Sequence, residues 1–501
     1  MKLVKTNRMF VIVVLLVALG SSMVFGQGAV APQQGSEKKK IEIKGKAPVS
    51  KEILKVKLPK AEEASLPNGL RVVLLRSDKV PTFNMQMVVL SGGLADRADY
   101  HGLASSTAAL LREGTTKRSS KDISEQTDAL GTTLLATSGL ASLTSTVTTS
   151  GLIENLDQTL DIFADVVRNP AFPQAEVEKY KTRTLFQLQQ QRANPQILAN
   201  EQFSKAIYGS HPAALTSTPV ESIKKLSTKD LAEFHSTYYR PNNAILAVVG
   251  DVTLKELMPK VEKAFGDWQK ADVPAFTIPA VPAQAPAMIY LIDRPNSVQT
   301  ALQLGTLGIE RTNPDYFAVL LADKVLGGGP SGRLFMNLRE DKGYTYGAYS
   351  GFVSSKYRGT WQASAEVRTE VTDGAMQEFK RELERLGNEK VGTEELESAK
   401  RAIVGGFALS LEQPGSLIQN IITQKIYNLP ADYWDTYPQK VSAITADDVQ
   451  RVAKKYMDLS HLQVVAVGDV TKTRESLAKY GTVQVLDAEG KPVGGGSDNN
   501  R

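Results

Sequence analysis

One long period constrains this chain more than any other feature. Asp230 to Gly250 aligns without gaps on Asp448 to Gly468, 218 residues later, and both copies continue into Asp-Val-Thr, at Asp251-Val252-Thr253 and Asp469-Val470-Thr471. Upstream, Glu178, Lys181, Pro195, Ile207 and Tyr208 fall on Glu397, Lys400, Pro414, Ile426 and Tyr427, each 219 residues on, and Asp99-Tyr100 falls on Asp315-Tyr316, 216 residues on. The spacing far exceeds the ~20–50-residue periods of solenoids, so the repeat describes two whole domains. They are expected at 61–270 and 288–487, joined by the Pro- and Ala-rich linker 271–287, which lacks a periodic pattern.

Each copy reads as α+β. Leu66 to Leu75 carries a Pro67-Asn68-Gly69 turn next to an apolar run, a hairpin signal. Phe83 to Leu90 alternates Met85, Met87 and Val89 on one face, and Leu143 to Thr149 alternates like a strand. Gly102 to Leu111 is small, apolar and helix-compatible, while Lys121 to Leu130 and Glu154 to Val167 are amphipathic. Glu176 to Gln191 is a run of good helix formers. Ile245 to Val249 and Leu462 to Val467 are continuous apolar runs of buried-strand type. Strands grouped between helix pairs imply a mostly antiparallel sheet with helices on one side of it in each copy.

The N-terminus reads as an address. Lys2, Lys5 and Arg8 precede a charge-free apolar run, Met9 to Gly20, and small residues with Val24 and Gly26 at −3 and −1 of a cleavage site. This predicts a signal peptide at 1–26, its apolar run shorter than the ~20 residues needed to span a bilayer. The product is expected to be exported, periplasmic or extracellular, with no membrane attachment after cleavage. A disordered Lys/Pro-rich leader, 27–60, and a flexible Gly-rich tail, 488–501, are expected to flank the body.

The chemistry inventory is mostly one of absences. Among 501 residues there is no cysteine, which removes disulfide frameworks, thiolate metal sites and cysteine nucleophiles. The four histidines, His101, His211, His235 and His461, include no pair within five residues, so neither H-E-x-x-H nor H-x-x-E-H exists. His235 falls in an expected helix where the second copy has Ala453, so the fold does not demand it. Ser222-Ile223-Lys224-Lys225 matches S-x-x-K without the companion motifs of a serine acyl-enzyme, and Gly327 to Arg333 lacks the ending of a phosphate loop. A net charge of +5 is too weak for a nucleic-acid binder.

Leu66-Pro67-Asn68-Gly69-Leu70-Arg71, Glu113-Gly114-Thr115-Thr116-Lys117-Arg118-Ser119, Ala164 to Pro173 (ADVVRNPAFP), Tyr238-Tyr239-Arg240-Pro241-Asn242-Asn243, the repeated Gly-Asp-Val-Thr and Leu338 to Tyr346 (LREDKGYTY) give the chain a family likeness. It resembles the insulinase/pitrilysin-like metallopeptidases, the inverted zincins, which include the mitochondrial processing peptidase and bacterial two-subunit relatives. The resemblance runs from about Leu66 to Val485 and implies two homologous domains facing each other as a clamshell. Active members carry H-x-x-E-H, two zinc-binding histidines and a water-activating Glu, on the helix after a Gly-Leu-Ala-like start. Here Gly102-Leu103-Ala104 leads into Ser105 at the first ligand position, Ala108 at the base position and Ala109 at the second ligand position. The third ligand aligns near Gln187, a second acidic position with Tyr180, and the Asn of the substrate-binding edge strand with Leu135. Alanine has no lone pair and neutral Ser or Gln is a poor ligand, so no zinc is expected on this chain.

The resemblance also implies a retained function in the second copy. Active relatives use an Arg and a Tyr, seven residues apart after the glycine-rich loop, to hold the substrate carbonyl. Arg339 and Tyr346 keep that spacing, with Tyr344 as rival for the phenol. Both groups are donors suited to a developing oxyanion. The expectation is a subunit that is inactive alone and completes the peptide chamber of a homologous, zinc-bearing partner. Its substrates would be peptides held partly by strand addition. The alternatives are a peptide-binding or assembly protein without a catalytic share and an autonomous zinc metalloendopeptidase.

Overall fold

The computed structural model describes residues 60–493. The expected signal peptide, all of the leader except Lys60, and residues 494–501 of the tail lie outside the described residues.

The first copy builds one six-stranded sheet from β1 (Glu62–Ser65), β2 (Arg71–Arg76), β3 (Thr82–Val89), β4 (Thr133–Ser138), β5 (Ser145–Leu152) and β6 (Ala244–Gly250), in the order β1-β2-β6-β3-β5-β4. The second builds another from β7 (Met288–Asp293), β8 (Gln299–Leu307), β9 (Thr345–Val353), β10 (Thr360–Arg368), β11 (Gln463–Gly468) and β12 (Val483–Leu486), in the order β12-β7-β11-β8-β10-β9. Strand β2 runs parallel to β6, and β7 runs parallel to both β11 and β12; every other pair is antiparallel. The β1–β2 hairpin turns at the expected Pro-Asn-Gly, where Gly69 takes φ +95°, a left-handed conformation that L residues rarely adopt. Residues 268–287 carry no regular structure.

Each sheet packs its own helices on one face. In the first half, Phe83, Met85, Met87 and Val89 of β3 and Leu246 and Val248 of β6 meet Leu160, Phe163 and Val167 of the helix Leu156–Arg168 and Leu231 and Phe234 of the helix Thr228–Tyr238. His235 on that second helix is fully used: its ring nitrogen Nε2 is 2.8 Å from the Val167 carbonyl, the ring stacks on Tyr239 at 4.7 Å, and burial pushes its pKa down to about 4. The second copy fills this position with Ala453, itself buried. The repeat therefore hid a structural role that differs between the copies.

The opposite face of each sheet is where the structure adds to the expectation of one-sided packing. The apolar runs of β6 and β11 are buried on both faces, as unbroken hydrophobic strands require. Val73, Ile245, Ala247 and Val249 of the first sheet are covered by Leu417, Ile418, Ile421 and Ile422 from the helix Pro414–Ile426 of the second half. Reciprocally, Ala301, Leu307, Val465 and Val467 of the second sheet are covered by Leu198, Ala199, Phe203 and Ile207 from the helix Pro195–Tyr208 of the first half. The halves exchange equivalent helices, since Pro195 and Pro414 are repeat partners. The fit on the second sheet is close: a Cβ on Gly305 would lie 2.7 Å from the Phe203 ring and 2.2 Å from the Trp361 carbonyl.

The expected tail is shorter than the sequence suggested. After β12, Asp487 caps a turn by accepting from the backbone N–H groups of Glu489 and Lys491, and the Val493 N–H donates to the Val485 carbonyl at 2.9 Å. Residues 488–493 thus close back on the last strand.

Candidate functional site

The helix Leu103–Leu110 starts after Gly102, whose φ is +94° and where a Cβ would collide with Thr218 at 2.3 Å. The Asp96 carboxylate accepts from the Gly102 and Ala104 N–H groups at 2.7 and 2.8 Å, which satisfies donors the helix start leaves open. Burial outweighs these bonds and pushes its pKa up to about 7. Small residues let this helix lie close to the sheet. The Ser105 hydroxyl donates to the Ser138 carbonyl at 2.7 Å, Ala108 is fully buried, and Ala109 offers no donor atom.

The remaining aligned positions do not converge as ligands. Gln187 is exposed on the helix Gln174–Gln191. Tyr180, two turns earlier on that helix, donates its phenol to the Ser106 hydroxyl at 3.3 Å and so ties the two helices together. Leu135 is 55% exposed on β4, the free edge of the first sheet. His101 stands just before the helix with its imidazole Nδ1 buried and unpaired, and burial lowers its pKa. Among the described residues, no group of three or more His, Cys, Asp or Glu is placed to hold a metal ion. A zinc ion does not fit this donor set, because two of the three motif positions have no lone pair and the hydroxyl at the third is already committed.

Arg339 and Tyr346 stand in the second half, around the start of β9, the free edge of the second sheet. The chain reaches them from the helix Tyr316–Leu326 through the glycine-rich turn, where Gly329 takes φ +145° and a Cβ on Gly327 would lie 2.5 Å from the Ser350 nitrogen. Residues 333–335 form a helical turn that widens into a π-helical turn, Met336–Asp341. Such turns are rare and are enriched at functional sites. The π turn is anchored from below. Asn337 donates from one amide nitrogen to Glu378 and Glu382, both at 2.8 Å, and Arg333 binds Glu395 through two nitrogens at 2.8 Å each. Sequence reasoning missed these anchors; a polar Asn between Met336 and Leu338 in an apolar stretch was the available signal.

On this platform Arg339 remains half-exposed. Its guanidinium pairs with Glu340 and lies 5.2 Å from the Phe335 ring centre, and Phe335 packs on Tyr349 of β9 at 5.5 Å. Tyr346 is 90% exposed on the edge strand. Its rival Tyr344 is packed against the second core and lies over Gly374, where a Cβ would meet its ring at 3.0 Å. Of the two phenols, Tyr346 is the one free to meet a ligand. A peptide pairing with β9 would run past a phenol and a guanidinium, both hydrogen-bond donors.

Two family models match successive parts of this chain. Residues 71–218 match the family model described as insulinase (peptidase family M16), and residues 225–403 match the one described as peptidase M16 inactive domain. An uncharacterised zinc protease of Rickettsia felis is 26% identical over 399 residues, covering 78% of this chain and 94% of the relative. A Bacillus subtilis protein, uncharacterised zinc protease YmxG, is 24% identical over 355 residues, covering 70% and 84%. Among solved structures, a peptidase M16 inactive domain from Pseudomonas fluorescens superposes with a TM-score of 0.75 at 27% identity, over 82% of this chain and 98% of the other. A protease from Helicobacter pylori shares the fold, with a TM-score of 0.76 at 22% identity over 82% and 100%.

Proposed function

Since the chain belongs to the insulinase family of peptidases, family M16, we propose that it is the non-zinc-binding subunit of a two-chain peptidase. The observation that carries this reading is a contrast. The helix that would hold zinc presents Ser105, Ala108 and Ala109, with the hydroxyl spent on a backbone carbonyl. The opposite half keeps Arg339 and Tyr346 at the rim of a free sheet edge. The match of 225–403 to the model described as inactive domain supports a partnering role.

In this reading a homologous partner supplies the zinc and its activated water. This chain supplies binding and polarisation. A peptide adds as a strand along a sheet edge and is held in register by main-chain hydrogen bonds. The Tyr346 phenol and Arg339 guanidinium donate to the carbonyl oxygen as negative charge builds on it; loss of one such donor costs about 10²–10³ in rate. Arg339 reaches that oxygen by leaving Glu340. The N-terminal sequence supports export, to the periplasm or outside the cell, with removal of 1–26; sequencing the mature N-terminus checks this.

The test is reconstitution. Peptide cleavage is assayed for the zinc-bearing homologue alone, this chain alone and the two together. The pair is expected to exceed the partner alone, and Arg339→Ala or Tyr346→Phe to lower the pair's turnover by about 10²-fold with assembly intact. Equal activity of partner and pair overturns the reading, as does stoichiometric zinc with cleavage by this chain alone. Unchanged turnover with both variants would favour the assembly role without a catalytic share.

A further inference from the structure

Where the first half's exchanged helix ends its cover of the second sheet, it leaves a cavity of about 440 Å³. The floor is the same face of the sheet that the helix Pro195–Tyr208 buries nearer β11. Strand pairing places Gln303 of β8 opposite Ser364 of β10, and Ser364 opposite Tyr349 of β9, so these side chains lie in one row running toward the free edge. Gln362, two residues before Ser364 on β10, shares that face. The first half supplies the other wall, from the first turns of the helix, with Gln196 and Asn200, and from Ser217. Every polar residue lining this cavity is an amide or a hydroxyl; none carries a charge.

The amides are wired in series. Gln196 Nε2 donates to Gln303 Oε1 at 3.1 Å, and Gln303 Nε2 donates to Gln362 Oε1 at 3.1 Å. Gln303 is only 4% exposed, so its two bonds fix the middle of the chain. The ends stay open: an NH₂ group on Gln362 and a carbonyl oxygen on Gln196. Reversing all three amides exchanges the ends and leaves the same complement, one donor and one acceptor. A group that both accepts and donates satisfies both ends, and a carboxamide does so with a single side chain. An aliphatic side chain would leave the amides unpaired. A carboxylate or an ammonium would find no countercharge in the lining.

The place of the cavity relates it to Tyr346. At ~4.8 Å between strands and ~3.3 Å per residue along them, two strands across and up to three residues along from Tyr346, which lies in the register break of β9 between Thr345 and Ala348, is at most on the order of 14 Å, the reach of about four residues of extended chain. We propose that this cavity is a specificity subsite for peptide substrates, taking an uncharged amide side chain, Asn or Gln, about four residues from the carbonyl held at Tyr346. The proposal deepens the peptidase-subunit reading and rests on it.

The test uses the full chain and a fluorescent set of unstructured Ala/Gly peptides of about ten residues. Each carries one Gln, Asn, Leu, Glu or Lys, scanned along the peptide, and binding is read by anisotropy. At one position Gln or Asn is expected to bind about tenfold tighter than Leu, Glu or Lys, the worth of one to two neutral hydrogen bonds. Gln362→Leu is expected to erase that preference by lowering the affinity of the Gln and Asn peptides. Gln196→Leu, at an exposed helix position, should do the same and guards against misfolding of the first variant. Peptides that bind equally whatever the scanned residue, or a preference that survives both variants, overturn the subsite and leave peptide binding standing. Failure of every peptide to bind overturns the peptide-binding reading together with the subsite.

Discussion

The two halves share five strands in the same order, β2-β6-β3-β5-β4 against β7-β11-β8-β10-β9, and differ in what they add to them. The first sheet takes its sixth strand from the chain before the repeat, as the antiparallel hairpin β1–β2. The second takes it from the chain after the repeat, as β12 laid parallel on β7. Between the first helix and the edge strand, the first half places a regular helix, Ser120–Ala129, closed by a Ser119/Asp122 capping box. The second half puts a π turn at that place in its order, with no side-chain cap and Arg339 on it. The regular copy satisfies its own backbone locally. The irregular copy is held by Asn337 and Arg333 reaching acids on other helices, and irregular backbone supported from below is the usual condition of a working surface. The comparison separates a half that holds shape from a half that presents donors.

That separation is of chemistry and not of stability, because the exchanged helices couple the halves. Phe203→Ala, on the first-half helix but in the second-half core, is expected to cost about 3–5 kcal/mol, and Ile418→Ala in the reciprocal position about 2–5 kcal/mol. Urea denaturation followed by near-ultraviolet and far-ultraviolet dichroism should show one shared transition moved to lower urea in both variants. Two transitions, only one of them shifted, would show that the halves fold separately.

A smaller effect distinguishes the copies by pH. His235 is neutral when folded, with a pKa near 4, against an ordinary value of 6.5. Between those values the unfolded chain binds more protons, so this residue makes stability rise with pH and be lost as pH falls from about 6.5 to about 4. The full span amounts to about 3 kcal/mol. Asp96 in the first half, raised to about 7, and Asp323 in the second, raised to about 6, act in the opposite sense, losing stability as pH rises above the ordinary 3.8. His235→Gln should therefore remove the rise in stability that this ring contributes between about pH 4 and 6.5, measured as urea midpoints of variant and wild type from pH 4 to 7. A profile unchanged by the substitution would refute the role given to this ring. Ala453 has no titrating group to match it.

Much of this architecture was legible. The turn at Gly69, the alternation of Met85 and Met87 and the apolar runs of β6 and β11 report local geometry, and local geometry follows from side-chain period. Which sheet an amphipathic helix covers does not. Leu198, Phe203 and Ile207 mark an apolar face without naming its partner, so the helix exchange was hidden although the two-sided burial of β6 and β11 was in the sequence. The lone Gln303 inside Thr300-Ala301-Leu302-Gln303-Leu304 was a readable anomaly, but its partners stand 107 and 59 residues away. Arg339 and Tyr346 emerged only through a family likeness, because two donors seven residues apart have no distinctive pattern of their own.

Anchoring the π turn predicts a more local loss. Asn337→Ala leaves Glu378 and Glu382, both buried, without the amide that serves them, at a cost of about 2 kcal/mol. The pair's turnover should fall further than stability alone explains, since Arg339 rides on the same turn. Asn337→Gln, which keeps the donor on a longer arm, should recover part of the rate. Identical losses in both variants would assign Asn337 to packing alone.

The smallest stability effect is the sharpest probe of which phenol works. Tyr344 and Tyr346 are two residues apart, yet one packs on the second core and over Gly374 while the other is 90% exposed. Tyr344→Ala should therefore cost about 2 kcal/mol in urea denaturation and Tyr346→Ala no more than about 0.5 kcal/mol. Turnover in the reconstituted pair should rank them in reverse, with Tyr346→Phe already depleted because only the hydroxyl is removed, and Tyr344→Phe near wild type. A catalytic loss that tracked destabilisation across the series would mean that Tyr346 contributes only shape, and the second half would then differ from the first in backbone geometry without differing in chemistry.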